Sequence, residues 1–409
     1  MLGEAPQVVS LVLLIAAAIA SAIVAVQIAM LARHLAGRAP IPRARPAISI
    51  LKPLCGVDDE LADNLAVFAA LDYPDYEVVL GVASAADPAY AVAAEAVREW
   101  PARFRVVIQR GAPGLNPKVN QLLGLAAAAR ADILVVSDSN TRVPSGYLDE
   151  IASCLEDPTV GLVTLAIAGS GEERAGASRA TWGARLDNLH ITGTMSPGIV
   201  AARALCGKSY VVGKSMAMRR ADVAALGGFI VVKDVLAEDF VLGRLIPQAL
   251  GKRVVLGHVV VECVTVRRSL AAFASRYARW SVMQHQCAGL TAYLGLLLLN
   301  PVLLATGALA LWPSRAVALA WVLCALTRAL ADTVAGRLSR GRWFGLRSLV
   351  LVPLKELLTG AAWVHGLCRR SIVWRSNRLI VGRGSALSIA PAPAPSFVPA
   401  RLRVWRARA

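Results

Sequence analysis

The sequence predicts an α/β domain with a mainly parallel sheet, set between apolar segments long enough to cross a membrane. Three observations predict it. Between residues 46 and 268, short apolar runs alternate with stretches of helical period. An uncharged run at 8–32 precedes this region, and three further apolar stretches follow it. The chain of 409 residues is 56% hydrophobic, with a mean hydropathy of +0.55, too apolar for an ordinary soluble protein.

The run at 8–32 has the length of a membrane-spanning helix. A cleaved signal peptide fits poorly, because the run is too long and its arginines follow it. Arg33, Arg38, Arg43 and Arg45 lie just after it, while Glu4 lies before. The positive-inside bias puts the N-terminus outside and the next domain in the cytoplasm, with residues 1–36 as the anchor. Beyond the domain, 289–312 is uncharged, and 316–336 carries Arg328 and Asp332 four apart on one helix face, able to neutralise each other. The stretch 346–367 contains Pro353, Lys355 and Glu356 and is the one expected not to span. Two crossings and one re-entrant or interfacial helix within 289–368 keep the arginine-rich tail, 369–409, cytoplasmic. That tail is expected to be partly disordered, with a Pro/Ala-rich linker at 390–399.

The net charge of +17 lies largely beside apolar segments and in the tail. This favours a bilayer surface over nucleic acid, and no aromatic-rich basic strand pattern appears. The cysteines are scattered, without metal-like spacing, and read as reduced thiols on the cytoplasmic side.

Within 46–268, strands are expected at 48–51, 76–82, 104–109 and 132–137, and helices at 59–71, 88–100 and 117–129. Ligands of such sheets sit beyond the carboxyl ends of the strands. Asp87, Lys118 and Asp138 all fall there and could share one crevice. After Thr164 the rhythm breaks. A polar, Gly-containing insertion leads to a strand at 210–219, with Lys214 read as facing the acceptor side. A Gly227-Gly228-Phe229 turn follows, then a helix from Glu238. Residues 269–288 are expected to form an interfacial helix leading into the membrane.

An acid at a strand end, a second acid and a pair of basic groups are what sugar transfer from a nucleotide diphosphate needs. Asp138 ends an apolar strand, where it could hold a divalent ion together with substrate phosphates; the rival reading is an Asx loop. Asp239 opens a helix and could take a hydroxyl proton, or simply complement the helix dipole. Lys118 stands at a helix start suited to phosphate or uridine. Arg276 and Arg279 share a helix face, and their guanidinium forks suit phosphate. Trp280 could wall a sugar pocket, or mark an interfacial helix with its arginines toward headgroups. The adjoining membrane segment points to a lipid acceptor.

In order, Ile50-Leu51-Lys52-Pro53-Leu54-Cys55-Gly56-Val57-Asp58, Leu71-Asp72-Tyr73-Pro74, Asp87-Pro88, Asn116-Pro117-Lys118, Asp138-Ser139, Ala237-Glu238-Asp239 and Arg276-x-x-Arg279-Trp280 resemble the ceramide glucosyltransferase family, glycosyltransferase family 21. The likeness covers roughly 46–280 and the membrane plan; hopanoid-pathway glycosyltransferases share much of it. The resemblance implies a GT-A fold and inverting transfer of one sugar, glucose, from a UDP-sugar to the hydroxyl of a ceramide-like lipid. It also implies an integral membrane protein; the catalytic domain is expected on the cytoplasmic side, and the membrane is expected to be a bacterial inner membrane. Residue by residue, Asp87 resembles the aspartate near the nucleotide, Asp138 the metal-side aspartate for Mg²⁺ or Mn²⁺, and Asp239 the catalytic base. Arg276, Arg279 and Trp280 resemble the donor-binding (Q/R)-x-x-R-W motif. One departure is Asp138-Ser139-Asn140 where the usual metal motif is D-x-D. Asparagine offers an oxygen but no charge, which leaves metal dependence open. Transfer of another sugar such as N-acetylglucosamine to a hopanoid or other lipid, a processive polysaccharide synthase and a catalytically silent binder of nucleotide sugars are the competing readings.

Overall fold

Apolar strands and capped helices alternate through the first half of the domain close to the expected positions. The structure, a computed structural model, describes residues 5–38, 40–172, 180–207, 210–374 and 377–390. Arg375 and nearly all of the expected linker at 390–399 lie outside the described residues. After α1 (Ala5–Leu35) come β1 (Ile48–Pro53), α2 (Leu61–Ala69), β2 (Tyr76–Val82) and α3 (Pro88–Glu99). Then follow β3 (Phe104–Ile108), α4 (Pro117–Ala128) and β4 (Ile133–Ser137). Helices α3 and α4 begin alike. Asp87 and Asn116 accept backbone N–H bonds as N-caps, and a proline fills the first helical position.

The second half contains β5 (Thr141–Arg142), α5 (Tyr147–Glu156), β6 (Val160–Ser170), α6 (Trp182–His190) and, after a π-turn at Ile191–Met195, α7 (Ser196–Cys206). Next are β7 (Ser215–Arg219), α8 (Arg220–Ala225), α9 (Glu238–Leu250) and β8 (Arg253–Val264). Here the structure departs from expectation. The 210–219 strand starts only at Ser215, and the insertion is largely helical. Arg185, Asp187 and Asn188 sit buried in α6, so its inward face reads as polar and hides the helical signal.

The strands form one sheet in the order β3-β2-β1-β4-β7-β6-β8-β5. Pairs β1/β2, β2/β3, β1/β4 and β6/β8 are parallel; β7 runs antiparallel between β4 and β6, and β5 antiparallel to β8. Apolar side chains pack on both faces of the sheet, with Ile50, Val78 and Val135 on one side and Leu51, Val79 and Val136 on the other. This is the GT-A-type arrangement expected from the resemblance.

C-terminal to the sheet are α10 (Leu270–Ala288), α11 (Leu290–Gly295), α12 (Pro301–Leu311), α13 (Arg315–Arg340), α14 (Leu346–Leu349) and α15 (Val352–Cys368). Among the described residues, α1 and α13 are long and apolar enough to cross a membrane. The 289–312 stretch is bent by 82° between Leu290–Leu299 and Pro301–Leu311, a broken span or a re-entrant loop. Along α1, Ala17 and Ala20 pack on Leu304 and Ala305, and Leu31 packs on Val200 and Ala335. The Arg328–Asp332 pair forms at 2.9 Å, and the third apolar stretch joins it. Lys355 bonds Asp332 at 2.5 Å, and Glu356 bonds Arg328 at 2.9 Å. Arg328 also donates to Gly193 O at 2.7 Å, tying α13 to the π-turn. Each charge in this buried group has an opposite partner, as burial requires.

Part of the expected tail instead folds into an antiparallel sheet of β9 (Ser371–Trp374), β10 (Asn377–Val381) and β11 (Leu387–Ile389). Its arginines mask an alternating apolar pattern. Ile372, Leu379, Val381 and Leu387 are buried against Leu236 and Val282. Ser385 accepts the Leu236 N–H at 2.8 Å through its carbonyl and the Ala237 N–H at 2.8 Å through its hydroxyl. The small sheet therefore braces the start of α9. Leu379→Ala should cost about 2–5 kcal/mol, as for other buried Leu→Ala changes. Earlier thermal unfolding of the detergent-solubilised variant is the expected result; an unchanged midpoint would mean the small sheet contributes nothing.

Candidate active site

Strand β1 carries β2 on one flank and β4 on the other, so the chain switches direction across it. The crevice beyond the carboxyl ends of β1 and β4 is where such sheets bind ligands. Asp138 is the first residue past β4. Strand β7 pairs antiparallel with β4, Ser137 opposite Ser215, so the residue before β7, Lys214, faces Asp138. Its Nζ donates to Asp138 Oδ2 and to Asn140 Oδ1, both at 2.8 Å. Lys214 thus belongs to a turn on the Asp138 side, a correction to its reading as a strand residue facing the acceptor.

Lys118 reaches the same acid from α4. Its Nζ lies 2.9 Å from Asp138 Oδ1, 2.8 Å from Glu238 Oε1 and 3.0 Å from Gly213 O. Asn116 arranges this meeting. Its Oδ1 caps α4, while its Nδ2 donates to Val235 O at 2.7 Å and Glu238 Oε2 at 3.2 Å. Gly213 closes the circuit, donating its N–H to Asp239 Oδ2 at 2.6 Å. A Cβ there would lie 2.8 Å from Asp239 Oδ2 and 3.1 Å from Lys118 Nζ, so a larger residue would displace the Asp239 carboxylate.

These contacts set the charge states. Burial opposes ionisation of Asp138, but Lys118 and Lys214 overcome it and hold its pKa well below the usual carboxylate range. Burial likewise works against the Lys118 charge, and Asp138, Glu238 and Asp239 outweigh it, raising its pKa. Asp239 behaves oppositely. Burial, aided by the Glu238 charge, pushes its carboxyl up to about 6, against the pull of Lys118. Beneath the crevice, the fully buried Lys52 donates to Asp138 O at 2.8 Å and to the hydroxyls of Ser137 and Thr141, both at 3.2 Å. Burial brings its pKa down to about 7.

Arg276 enters from α10. Its guanidinium lies 3.5 Å from Asp187 Oδ2 and stacks over Trp280, 4.3 Å from the ring centroid. Asp187, wholly buried in α6, also accepts from Tyr277 Oη at 2.8 Å and lies 3.3 Å from Arg268 Nε. Burial disfavours its charge, and Arg276 and Arg268 more than compensate, lowering its pKa.

Lys118, Asp138, Asp239, Arg276, Arg279 and Trp280 all line one cavity of ≈ 1830 Å³. The same cavity reaches Ile19, Ile23 and Val26 on α1 and Leu303 on α12. Asp87 is not among its lining residues. Asp87 Oδ1 accepts from Gly56 N and Ala89 N, both at 2.9 Å, so it acts on the site through the loop bearing Cys55 and Asp58, which do line the cavity. Asp58 in turn accepts a bond from the Ser139 hydroxyl. Sequence reasoning missed Lys52, Asp58 and Asp187 as site residues. A lysine inside an apolar strand was the available signal for Lys52; Asp187 carried none.

A divalent ion at Asp138 needs free oxygens, and both carboxylate oxygens are bound to lysines, as is Asn140 Oδ1. Among the described residues no group of three or more His, Cys, Asp or Glu is placed to hold a metal ion. The donor set expected for Mg²⁺ or Mn²⁺ at Asp138 is, as folded, a lysine cradle that does not fit such an ion.

The sheet order is of GT-A type, and the family model that matches most of the chain puts it in the glycosyltransferase class. It belongs to glycosyl transferase family 21, whose family model matches residues 12–387. Ceramide glucosyltransferase 1 of Caenorhabditis elegans is 24% identical over 239 residues, 58% of this chain and 49% of that protein. Ceramide glucosyltransferase of Komagataella phaffii is 32% identical over 121 residues, 28% of this chain and 24% of that protein. The chain thus spans at most about half the length of these curated relatives. Among solved structures, a mannosyltransferase of Pyrobaculum calidifontis in complex with GDP-Man and Mn²⁺ covers 86% of this chain and 99% of its own, at 18% identity and a TM-score of 0.46.

Asp187→Asn leaves Arg268 and Arg276 without their shared counter-charge. It should destabilise the protein by about 3–5 kcal/mol, the usual cost of stranding one partner of a buried ion pair. A thermal unfolding midpoint equal to wild type would remove Asp187 from this role.

Proposed function

We propose that this protein is an inverting membrane glycosyltransferase that moves one sugar, glucose, from a UDP-sugar to the hydroxyl of a ceramide-like lipid. The observation that carries the reading is the shared cavity, which joins Asp138 and Asp239 to the apolar faces of α1 and α12. A polar donor can enter at the charged end while a lipid lies along the apolar end. The arginines after α1 argue for a catalytic domain, 46–268, on the cytoplasmic face; the membrane in this proposal is a bacterial inner membrane. In this organisation 1–36 anchor the chain, 269–288 form the helix bearing Arg276, Arg279 and Trp280, 289–368 return to the membrane, and 369–409 follow.

Asp239 is the base. It takes the proton of the acceptor hydroxyl as that oxygen bonds to the anomeric carbon. The carbon–oxygen bond to the diphosphate breaks on the opposite face, and UDP leaves with the electron pair through an oxocarbenium-like transition state. Lys118, Arg276 and Arg279 supply positive charge toward the diphosphate, and Trp280, stacked under Arg276, walls the sugar pocket. Asp138 orients Lys118, and Asp87 shapes the loop nearest the nucleotide.

Asp239→Asn should abolish transfer and leave UDP-sugar binding largely intact; mass spectrometry of lipid products, with UDP titration alongside, checks both. A polymeric product would indicate a processive synthase instead. The base must be ionised, and its carboxyl titrates at about 6, so activity should rise with pH through about 6 and level off above. A rate independent of pH between 5 and 7 would remove Asp239 as the base. Arg279→Ala should weaken UDP binding more than binding of free uridine; equal effects would leave Arg279 as an interfacial anchor.

A further inference from the structure

The position of Lys214 carries one inference beyond this reading, on whose UDP donor it rests. In a D-x-D pair, a divalent ion is held by the carboxylates together with substrate phosphates. Here the matching oxygens are Asp138 Oδ2 and Asn140 Oδ1, and Lys214 Nζ stands 2.8 Å from each. The other carboxylate oxygen of Asp138 is bound to Lys118, and its carbonyl to Lys52. All three oxygens of this residue therefore face lysine Nζ groups. Asparagine in place of a second acid removes one negative charge, and Lys214 adds a positive one. Both differences disfavour a dication by simple Coulomb energy and suit a monocation. The β4–β7 register fixes the Lys214 backbone beside Asp138, and its side chain is 15% exposed, into the cavity. An ammonium is a compact point charge well suited to phosphate oxygens.

We propose that Lys214 takes the place of the divalent ion. Its ammonium, seated on Asp138 and Asn140, receives the donor diphosphate and, with Lys118, neutralises the charge on departing UDP. Nucleotide binding is then independent of metal.

The test is calorimetric titration of UDP into the full chain in detergent, in EDTA and again with Mn²⁺, with electron paramagnetic resonance of Mn²⁺ as a second readout. Affinities agreeing within about twofold, and no protein-dependent loss of the free Mn²⁺ signal, are expected. Lys214→Met should weaken UDP binding in EDTA by about tenfold or more, the scale of one charged hydrogen bond. The double variant Asn140→Asp/Lys214→Met rebuilds a two-acid pair and should bind UDP only with Mn²⁺. A wild-type affinity that collapses in EDTA and returns with Mn²⁺ overturns the proposal, whatever the variants do. So does a Lys214→Met chain that binds UDP in EDTA as tightly as wild type. Absence of UDP binding in both conditions would overturn the donor reading itself, and this proposal with it.

Discussion

The Lys118 ammonium is the contact on which the site depends. It binds Asp138 at the end of β4 and Glu238 at the start of α9, and holds the Gly213 carbonyl between them. Three carboxylates gather here in a partly dry crevice. Without a cation among them their mutual repulsion would drive the elements apart, because charges in a low-dielectric setting interact strongly. The same ammonium lets neighbouring acids differ. Asp138, bound by two lysines, stays ionised, whereas Asp239, which accepts from the backbone N–H groups of Gly213 and Phe240 and lies next to Glu238, has its pKa raised to about 6. A carboxyl tuned this way can accept a proton and give it up again.

A second buried acid, Asp187, does for the membrane side what Lys118 does for the sheet. It collects Arg268, Arg276 and Tyr277, so the guanidinium stacked on Trp280 is positioned from α6. The π-turn after α6 then meets Arg328, which is held by Asp332 and Glu356. The backbone of the π-turn thus links the Asp187 cluster at the cavity wall to a second group of paired charges on α13, a helix long enough to cross the bilayer. Paired charges hold such a junction in one arrangement, since sliding by one residue would strand a buried ion.

Much of the first half of the domain was legible, because its signals are local. Asp87 and Asn116, each followed by proline, announce helix starts through their own backbone geometry, and the runs at 76–82 and 133–137 are apolar enough to be read as strands. Helices α6 and α7 were not legible. Asp187 and Asn188 occupy inward positions and break the apolar period, since what they face is polar. The C-terminal sheet was hidden by its exposed arginines, although Ile372, Leu379 and Leu387 form its buried face.

By itself, the sequence determined that this is an α/β chain between apolar segments, with acids at Asp138 and Asp239 and a basic helix at Arg276–Trp280. Each of these follows from spacing along the chain, because helix and strand periods and terminal caps involve residues a few positions apart. Only the tertiary structure decided which groups meet. Lys214 faces Asp138 because of one antiparallel register, and a slip of one residue would turn it to the other side of the sheet. Register is set by the packing of β7 between β4 and β6, a long-range property that no local pattern carries.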